Sequence, residues 1–188
     1  MTELDAINRM LSWIGEIPVT TISSVDVSSR AQSVLTQYSK RIQSRGLTSN
    51  KRFEVTYTAD GSGYIDVGSA LRADPSDRSV NYVQRGVKLY DVENSTDVFP
   101  VGKEVSLDVV DYLAWDALPP VTQEYIVAKA TPEFIMIEIG DRDLYASASD
   151  QARAAEIEFL RYELKVSDAN MLQDEHTVAG AGLRHWNP

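Results

Sequence analysis

"LSWIGEIPV", residues 11–19, decides how the first part of the chain folds. Apolar residues recur at steps of three and four up to this stretch, at Leu4, Ile7, Leu11 and Ile14. That period predicts a helix, and Gly15 supplies the left-handed residue that commonly ends one. Pro18 then pushes Ile17 out of helical geometry. One interpretation of this stretch is a catalytic turn that holds Glu16. A simpler one is a connection between two elements: a helix cap at Gly15, an extended residue before Pro18, and then the start of the next element.

Three more helices are predicted farther along the chain. The second begins at Asp26 as N-cap and ends before Gly46. Its shared face carries Ala31, Leu35, Tyr38, Ile42 and Arg45. The third follows Pro119 and Pro120, has apolar residues on several faces and is kinked by Pro132. A fourth helix is predicted from about residue 146 to 166, where a broad apolar face ends.

Between the second and third helices the hydrophobic period changes to two, which predicts strands. "FEVTYT", residues 53–58, alternates Phe53, Val55 and Tyr57 with polar residues, and "EVSLDVV", residues 104–110, repeats the pattern. Two further strands meet at Arg85-Gly86 as a hairpin. Turn signals stand at "DGSG" (60–63) and "DPSD" (74–77).

These patterns predict an α+β fold that is mainly α. A bundle of about four helices is expected from residues 1–50 and 117–166 together, as one discontinuous domain. A small antiparallel β unit, residues 51–116, is inserted into it. Residues 167–188 have no periodicity and are expected to form an extended C-terminal arm.

Composition excludes several classes of function. The 188 residues contain no cysteine and only two histidines, His176 and His185, so thiolate chemistry and a His/Cys metal site are not expected. The formal charge of −10 opposes tight binding of DNA or anionic lipid, because both depend on Lys and Arg that neutralise phosphate. Neither a membrane span nor a signal peptide is predicted, which favours a protein made and kept in a cytoplasm.

Motifs for catalysis or cofactor binding are weak, and no cofactor is expected. "DGSGYID", residues 60–66, resembles the middle of an EF-hand loop, but the two end positions would be Thr58 and Ser69, which favours a hairpin turn over calcium. Carboxylates are abundant, at Asp108, Asp111, Asp116, Glu133, Glu138, Asp141 and Asp143. A pair of them could serve a cell-wall or polysaccharide hydrolase, and this remains the alternative to a structural role.

"SKRIQSRG", residues 39–46, places Lys40, Arg41 and Arg45 on the second helix. One interpretation is a cationic helix end that complements the helix dipole. The other is a surface that meets an acidic partner or another copy of the same chain, since a net acidic chain with one basic segment favours head-to-tail association.

Four segments resemble one known family: "AINRMLSWIGEIPV" (6–19), "RIQSRGLTSN" (41–50), "YIVAKATPEF" (125–134) and "EFLRYELKVSDANML" (158–172). Their content and order are similar to tail tubular protein A, the head-to-tail adaptor of short-tailed bacteriophages. The resemblance covers both helical blocks and the start of the arm, while the β unit resembles the family only in position and character. One departure is Leu47, where the family is expected to have tryptophan.

The resemblance implies a virion protein of the phage tail, assembled in the host cytoplasm. It implies a homo-oligomeric ring, usually a dodecamer, between the portal protein and the tail nozzle protein (tail tubular protein B), with DNA passing through its centre without tight binding. We expect subunit contacts at Lys40, Arg41 and Arg45. The turn tip, Asp60, Gly61, Ser62 and Gly63, is expected to contact the nozzle. Leu183, Arg184, His185 and Trp186 of the arm are expected to contact the portal, the alternative being that Trp186 folds back onto its own bundle.

Overall fold

The computed structural model describes residues 1–23 and 26–171. It has the α+β, mainly α architecture that the sequence predicts. The helices are α1 (Glu3–Trp13), α2 (Val27–Gln43), α3 (Pro120–Glu138) and α4 (Arg142–Met171), with a 3-10 turn at Trp115–Ala117. The strands are β1 (Lys51–Thr58), β2 (Arg72–Pro75), β3 (Tyr82–Arg85), β4 (Lys88–Asp91) and β5 (Glu104–Val110).

The ends of α1 and α2 are set by local signals. Thr2 and Asp5 form a capping box, in which the Thr2 hydroxyl accepts from the Asp5 amide at 3.1 Å and the Asp5 carboxylate accepts from the Thr2 amide at 2.9 Å. Gly15 follows α1 with φ +77°. Asp26 caps α2 by accepting from the Ser28 amide at 2.9 Å. Both predicted boundaries, at Gly15 and at Asp26, are confirmed.

Helix α3 is the centre of the helical core. Tyr125, Ile126, Phe134 and Ile135 are fully buried although they point in different directions around the helix. Helices α1, α2 and α4 all pack against α3, which explains its apolar character on several faces. The α1–α2 side of this core includes Ile7, Met10, Leu11, Leu35, Ile42 and Leu47.

Helix α4 is longer than the sequence pattern indicated. It begins at Arg142 rather than 146, because Asp141 Oδ1 accepts from the amides of Asp143 and Leu144, both at 2.9 Å. It continues to Met171 rather than 166, so residues 167–171, expected in the arm, are helical. The apolar period weakens there, but no Gly or Pro stands before Gly180 to end the helix.

The β segment forms two small sheets. Strand β5 lies between β1 and β2, antiparallel to both, and β3 pairs with β4 as the predicted hairpin. Val105, Leu107 and Val109 are buried, as the period of two predicts. They join a second apolar cluster, separate from the helical core, that also contains Ile65, Leu89 and Phe99.

Two predictions in this segment are wrong. Phe53 is 69% exposed, because the register of β1 against β5 shifts between Arg52 and Val55, with Glu54 at φ +53°. This bulge interrupts the predicted alternation of Phe53 with Val55 and Tyr57. The "DPSD" segment is only partly a turn, since Asp74 and Pro75 are the last residues of β2.

Candidate functional site

A cleft of about 510 Å³ opens between α2, α3 and α4. Its lining combines aromatic, apolar and cationic side chains: Tyr38, Arg41, Ile42, Arg45, Tyr125, Lys129, Pro132, Glu133, Met136, Tyr145, Ser149, Ala152 and Arg153. Such a mixture suits a contact with a protein segment that carries both apolar and negatively charged groups. We call this feature the α2–α4 cleft.

Four of the lining side chains are cations, and their pairing differs. Lys129 Nζ lies 3.0 Å from Glu156, and Arg153 lies 3.0 Å from Asp150, both partners being on α4. Arg41 and Arg45 have no carboxylate within 4 Å among the described residues. Arg45 nevertheless lies near enough to Tyr125 and Glu156 for its charge to favour their ionised forms. The Arg41 charge is therefore the one in the cleft that is left for a negatively charged partner, as far as the described residues show.

Glu133, a carboxylate among the described lining residues of the α2–α4 cleft, is held by a tyrosine. Tyr38 Oη donates to Glu133 Oε2 at 2.7 Å. Burial raises the pKa of Tyr38 to about 12, and the Glu133 carboxylate adds to this effect. The Arg41 guanidinium lies 5.9 Å from the Tyr38 ring centroid, at the outer limit of a cation–π contact. Glu133 thus serves to fix Tyr38.

The floor of the cleft is a packed polar and aromatic group. Tyr125 stacks on Phe159 with a centroid distance of 4.5 Å and an interplanar angle of 13°. Its hydroxyl donates to Glu156 at 3.0 Å. The hydrogen bond from Lys129, and next that from Tyr125, lower the pKa of Glu156. Burial followed by the Glu156 hydrogen bond raises the pKa of Tyr125. The floor is a rigid support for the cations above it.

The expected trio of subunit-contact residues is divided by the structure. Arg41 and Arg45 line the α2–α4 cleft, whereas Lys40 lies elsewhere, with Nζ 6.0 Å from the ring of Tyr112. Helix α2 ends at Gln43, so Arg45 follows the helix rather than lying on it. Sequence patterns missed Lys129 and Arg153, because only the packing of three helices brings them beside Arg41.

The turn tip at residues 60–63 has a different geometry from a hairpin. Its preceding strand, β1, pairs with β5 and not with the residues that follow the tip. Asp60 Oδ1 accepts from the amides of Ser62 at 2.8 Å and Tyr64 at 2.9 Å. Gly63 is buried against Phe99, whose amide donates to the Gly63 carbonyl at 2.7 Å. Asp60, Gly61 and Ser62 are exposed at the surface.

The chain is similar in sequence to known phage tail proteins. A sequence model of the family described as tail tubular protein matches residues 4–169, which include all four helices almost completely. The chain belongs to the tail tubular protein family. It is similar to "Tail tubular protein A" of Klebsiella phage KP34, with 29% identity over 167 residues that cover 88% of each chain. A member of this family is a structural protein of the phage tail.

Most of the carboxylates that a hydrolase could use have structural partners in this tail tubular protein. Asp111 pairs with Arg52 and Glu138 with Arg30, each through two hydrogen bonds of 2.6 to 3.0 Å. Asp108 accepts from the Glu54 amide at 3.0 Å and from the Ser76 hydroxyl at 2.7 Å. Asp141 caps α4, while Asp116 lies in the 3-10 turn and Asp143 in the first turn of α4.

Leu183, Arg184, His185 and Trp186 lie outside the described residues. Within residues 1–23 and 26–171, no group of three acidic or histidine side chains is arranged to hold a metal ion. In that same part of this tail tubular protein, no helix is long and apolar enough to cross a membrane.

Proposed function

We propose that this chain is the head-to-tail adaptor of a short-tailed phage. In this role twelve copies form a ring between the portal protein and the nozzle protein, tail tubular protein B, with the DNA channel through the centre. The observation that carries the proposal is the family match over residues 4–169, together with the similarity to a protein named tail tubular protein A.

In this proposal the helical bundle, the β unit and the C-terminal arm each make a different contact. Residues 1–50 and 117–166 supply side-by-side contacts around the ring, the exposed tip at Asp60, Gly61 and Ser62 contacts the nozzle, and Leu183, Arg184, His185 and Trp186 contact the portal. The two separate apolar clusters support this division, since each part has buried residues of its own.

Charge supports the passage of DNA through such a ring. With 28 acidic and 18 basic residues, the chain carries a formal charge of −10. A net negative charge repels phosphate, so DNA passes through the ring without being held tightly.

Electron microscopy of the purified chain mixed with the portal protein of the same phage tests the proposal. We expect end-on class averages with a ring of twelve subunits attached to the portal. The matched control is the chain alone at the same concentration, where we expect monomers, because ring contacts of modest area depend on a template to offset the entropy of association. Failure to form a ring in any portal mixture would contradict the adaptor role.

A further inference from the structure

The loop Gly15–Pro18 projects an apolar side chain that the fold does not use. Ile17 is 82% exposed, the largest exposed fraction among the large hydrophobic side chains of the described residues. Beside it, Glu16 is exposed and has no cation within 4 Å in the described part of the chain. An apolar and an acidic side chain therefore stand together on the surface. We call the Glu16–Ile17 pair the knob.

The knob is held rigidly at both ends. Before it, the amides of Gly15 and Glu16 donate to the carbonyls of Ser12 at 3.3 Å and Leu11 at 3.1 Å, which closes α1. After it, the Asn8 carboxamide makes two hydrogen bonds with the Val19 backbone, at 2.9 and 2.8 Å. Such a preorganised loop loses little conformational entropy when it binds.

The knob and the α2–α4 cleft belong to different faces of the bundle. Helix α1, from which the knob projects, packs against α2 and α3. The α2–α4 cleft is formed where α4 meets α2 and α3, and no residue of α1 or of the knob lines it. The knob of one molecule therefore cannot fill its own cleft, although a neighbouring molecule can present one to it.

The cleft matches the knob in both polarity and charge. Arg41 has no carboxylate within 4 Å among the described residues, and Met136 and Tyr145 line the same cleft and are 41% and 43% exposed.

We propose that Ile17 of one copy packs into the α2–α4 cleft of a second copy, with Glu16 facing Arg41. The contact uses two different surfaces, so it is heterologous and can repeat from copy to copy until a ring closes. This inference rests on the proposed adaptor function, because it assigns the side-by-side contact of that ring.

Disulfide trapping tests the contact directly, since the chain has no cysteine of its own. Ile17→Cys and Met136→Cys are combined in one chain, bound to the portal, oxidised mildly and separated on a denaturing gel without reductant. We expect a ladder at successive multiples of the chain mass. Each single variant should give no ladder, and replacing Ile17→Cys by Val98→Cys, at a residue that is 48% exposed on the β unit, should also give none.

Three outcomes separate this inference from the adaptor function. Rings on the portal without the 17–136 link would overturn the inference and leave the adaptor function intact. Self-linked dimers of Ile17→Cys alone would also overturn it, because they require a symmetric contact. If no ring forms on the portal, the adaptor function fails, and the link is then sought in the chain alone at millimolar concentration, where its absence overturns the inference as well.

A charge exchange provides a second, independent readout. Glu16→Arg and Arg41→Glu should each weaken ring formation on the portal about tenfold, as expected for one centrally placed interface residue. The double variant should recover most of this loss, because the ion pair is restored with opposite polarity. Additive losses in the double variant would contradict the pairing. If Glu16→Arg weakens portal binding even when the chain binds the portal as a monomer, the knob contacts the portal and not a second copy.

Discussion

Gln43 and Asn50 join the end of α2 to the chain that returns from β5. Asn50 Nδ2 donates to the carbonyls of Gln43 at 3.1 Å and Asp111 at 2.9 Å, while Asn50 Oδ1 accepts from the Leu47 amide at 2.7 Å. The Gln43 carboxamide in turn makes two hydrogen bonds with the Leu113 backbone, at 3.1 and 2.7 Å. Both residues are buried, so the connection between the helices and the sheets is held by buried hydrogen bonds.

Removing this polar junction should cost stability. Asn50→Ala removes the partner of the buried Leu47 amide and of the Asp111 carbonyl, while the Gln43 carbonyl still accepts from the Gly46 amide at 2.9 Å. We expect a loss of about 2 kcal/mol in the free energy of unfolding. Urea denaturation monitored by circular dichroism measures it. Asn81→Ala, at an exposed position, is the matched control and should change little. Equal midpoints for the two variants would show that the junction does not stabilise the fold.

The stacked pair under the cleft gives a second prediction. Phe159 is 5% exposed and packs on Tyr125, so Phe159→Ala should destabilise the chain by about 3 to 4 kcal/mol through lost burial and a cavity. Its neighbour Leu160 is 52% exposed, and Leu160→Ala should cost less than about 0.5 kcal/mol. Thermal unfolding of both variants checks the contrast, and similar losses would mean that α4 is rotated from the described position.

Local signals carried the prediction of the helices. A capping side chain, as at Asp26, or a left-handed glycine, as at Gly15, acts within one helical turn. The end of a helix can therefore be predicted from about four neighbouring residues. The same limit explains the error at the end of α4. Its last residues have weak apolar period, and helix continuation there depends on the absence of a breaker rather than on a visible pattern.

Features that depend on long-range pairing could not be predicted. The exposure of Phe53 follows from a bulge against β5, more than 50 residues away in the chain. Only part of the candidate site was foreseen for a similar reason. Arg41 and Arg45 are visible as a basic segment, whereas the contribution of Lys129 and Arg153 exists only once α3 and α4 pack beside α2.

Two glycines of the turn tip should respond differently to alanine. At Gly63, which has φ +81°, a Cβ would lie 2.5 Å from the Phe99 carbonyl oxygen and 2.8 Å from Val98 Cγ1. Gly63→Ala should therefore destabilise the β unit by on the order of 2 kcal/mol. Gly61→Ala meets nothing within 4 Å and should be neutral. Urea denaturation distinguishes them, and a neutral Gly63→Ala would indicate that the tip is not packed on Phe99.

The raised pKa of Tyr38 predicts a pH dependence. Below its ordinary pKa of 10.0 the phenol is neutral in both states, so its stabilising contribution is fully present. As pH rises toward the folded pKa of about 12, the unfolded chain ionises first and the contribution is lost. The stability gap between wild type and Tyr38→Phe should therefore narrow from pH 9 to 12. Glu133→Gln should reduce this narrowing without abolishing it, because burial is the larger cause.

The C-terminal residues supply a prediction about the portal. Deleting residues 178–188 should leave the thermal midpoint of the isolated chain nearly unchanged and remove most of its portal affinity. Trp186→Ala should reproduce much of that loss, since tryptophan is among the residue types most enriched at binding hot spots. Calorimetry and portal pull-down measure the two effects. A truncated chain that melts markedly lower yet binds the portal normally would favour docking of Trp186 on its own bundle.

Lys51 at the start of β1 and Val110 at the end of β5 are paired neighbours. The chain thus leaves the helices and returns to them across a single inter-strand spacing, about 4.8 Å in an antiparallel ladder. The two ends of the β unit are therefore fixed beside each other, and Arg72 adds one further tie, a hydrogen bond from its guanidinium to the Ser44 carbonyl at 3.3 Å. Recombination between phages at these two points would transfer a complete β unit onto an unchanged set of helices.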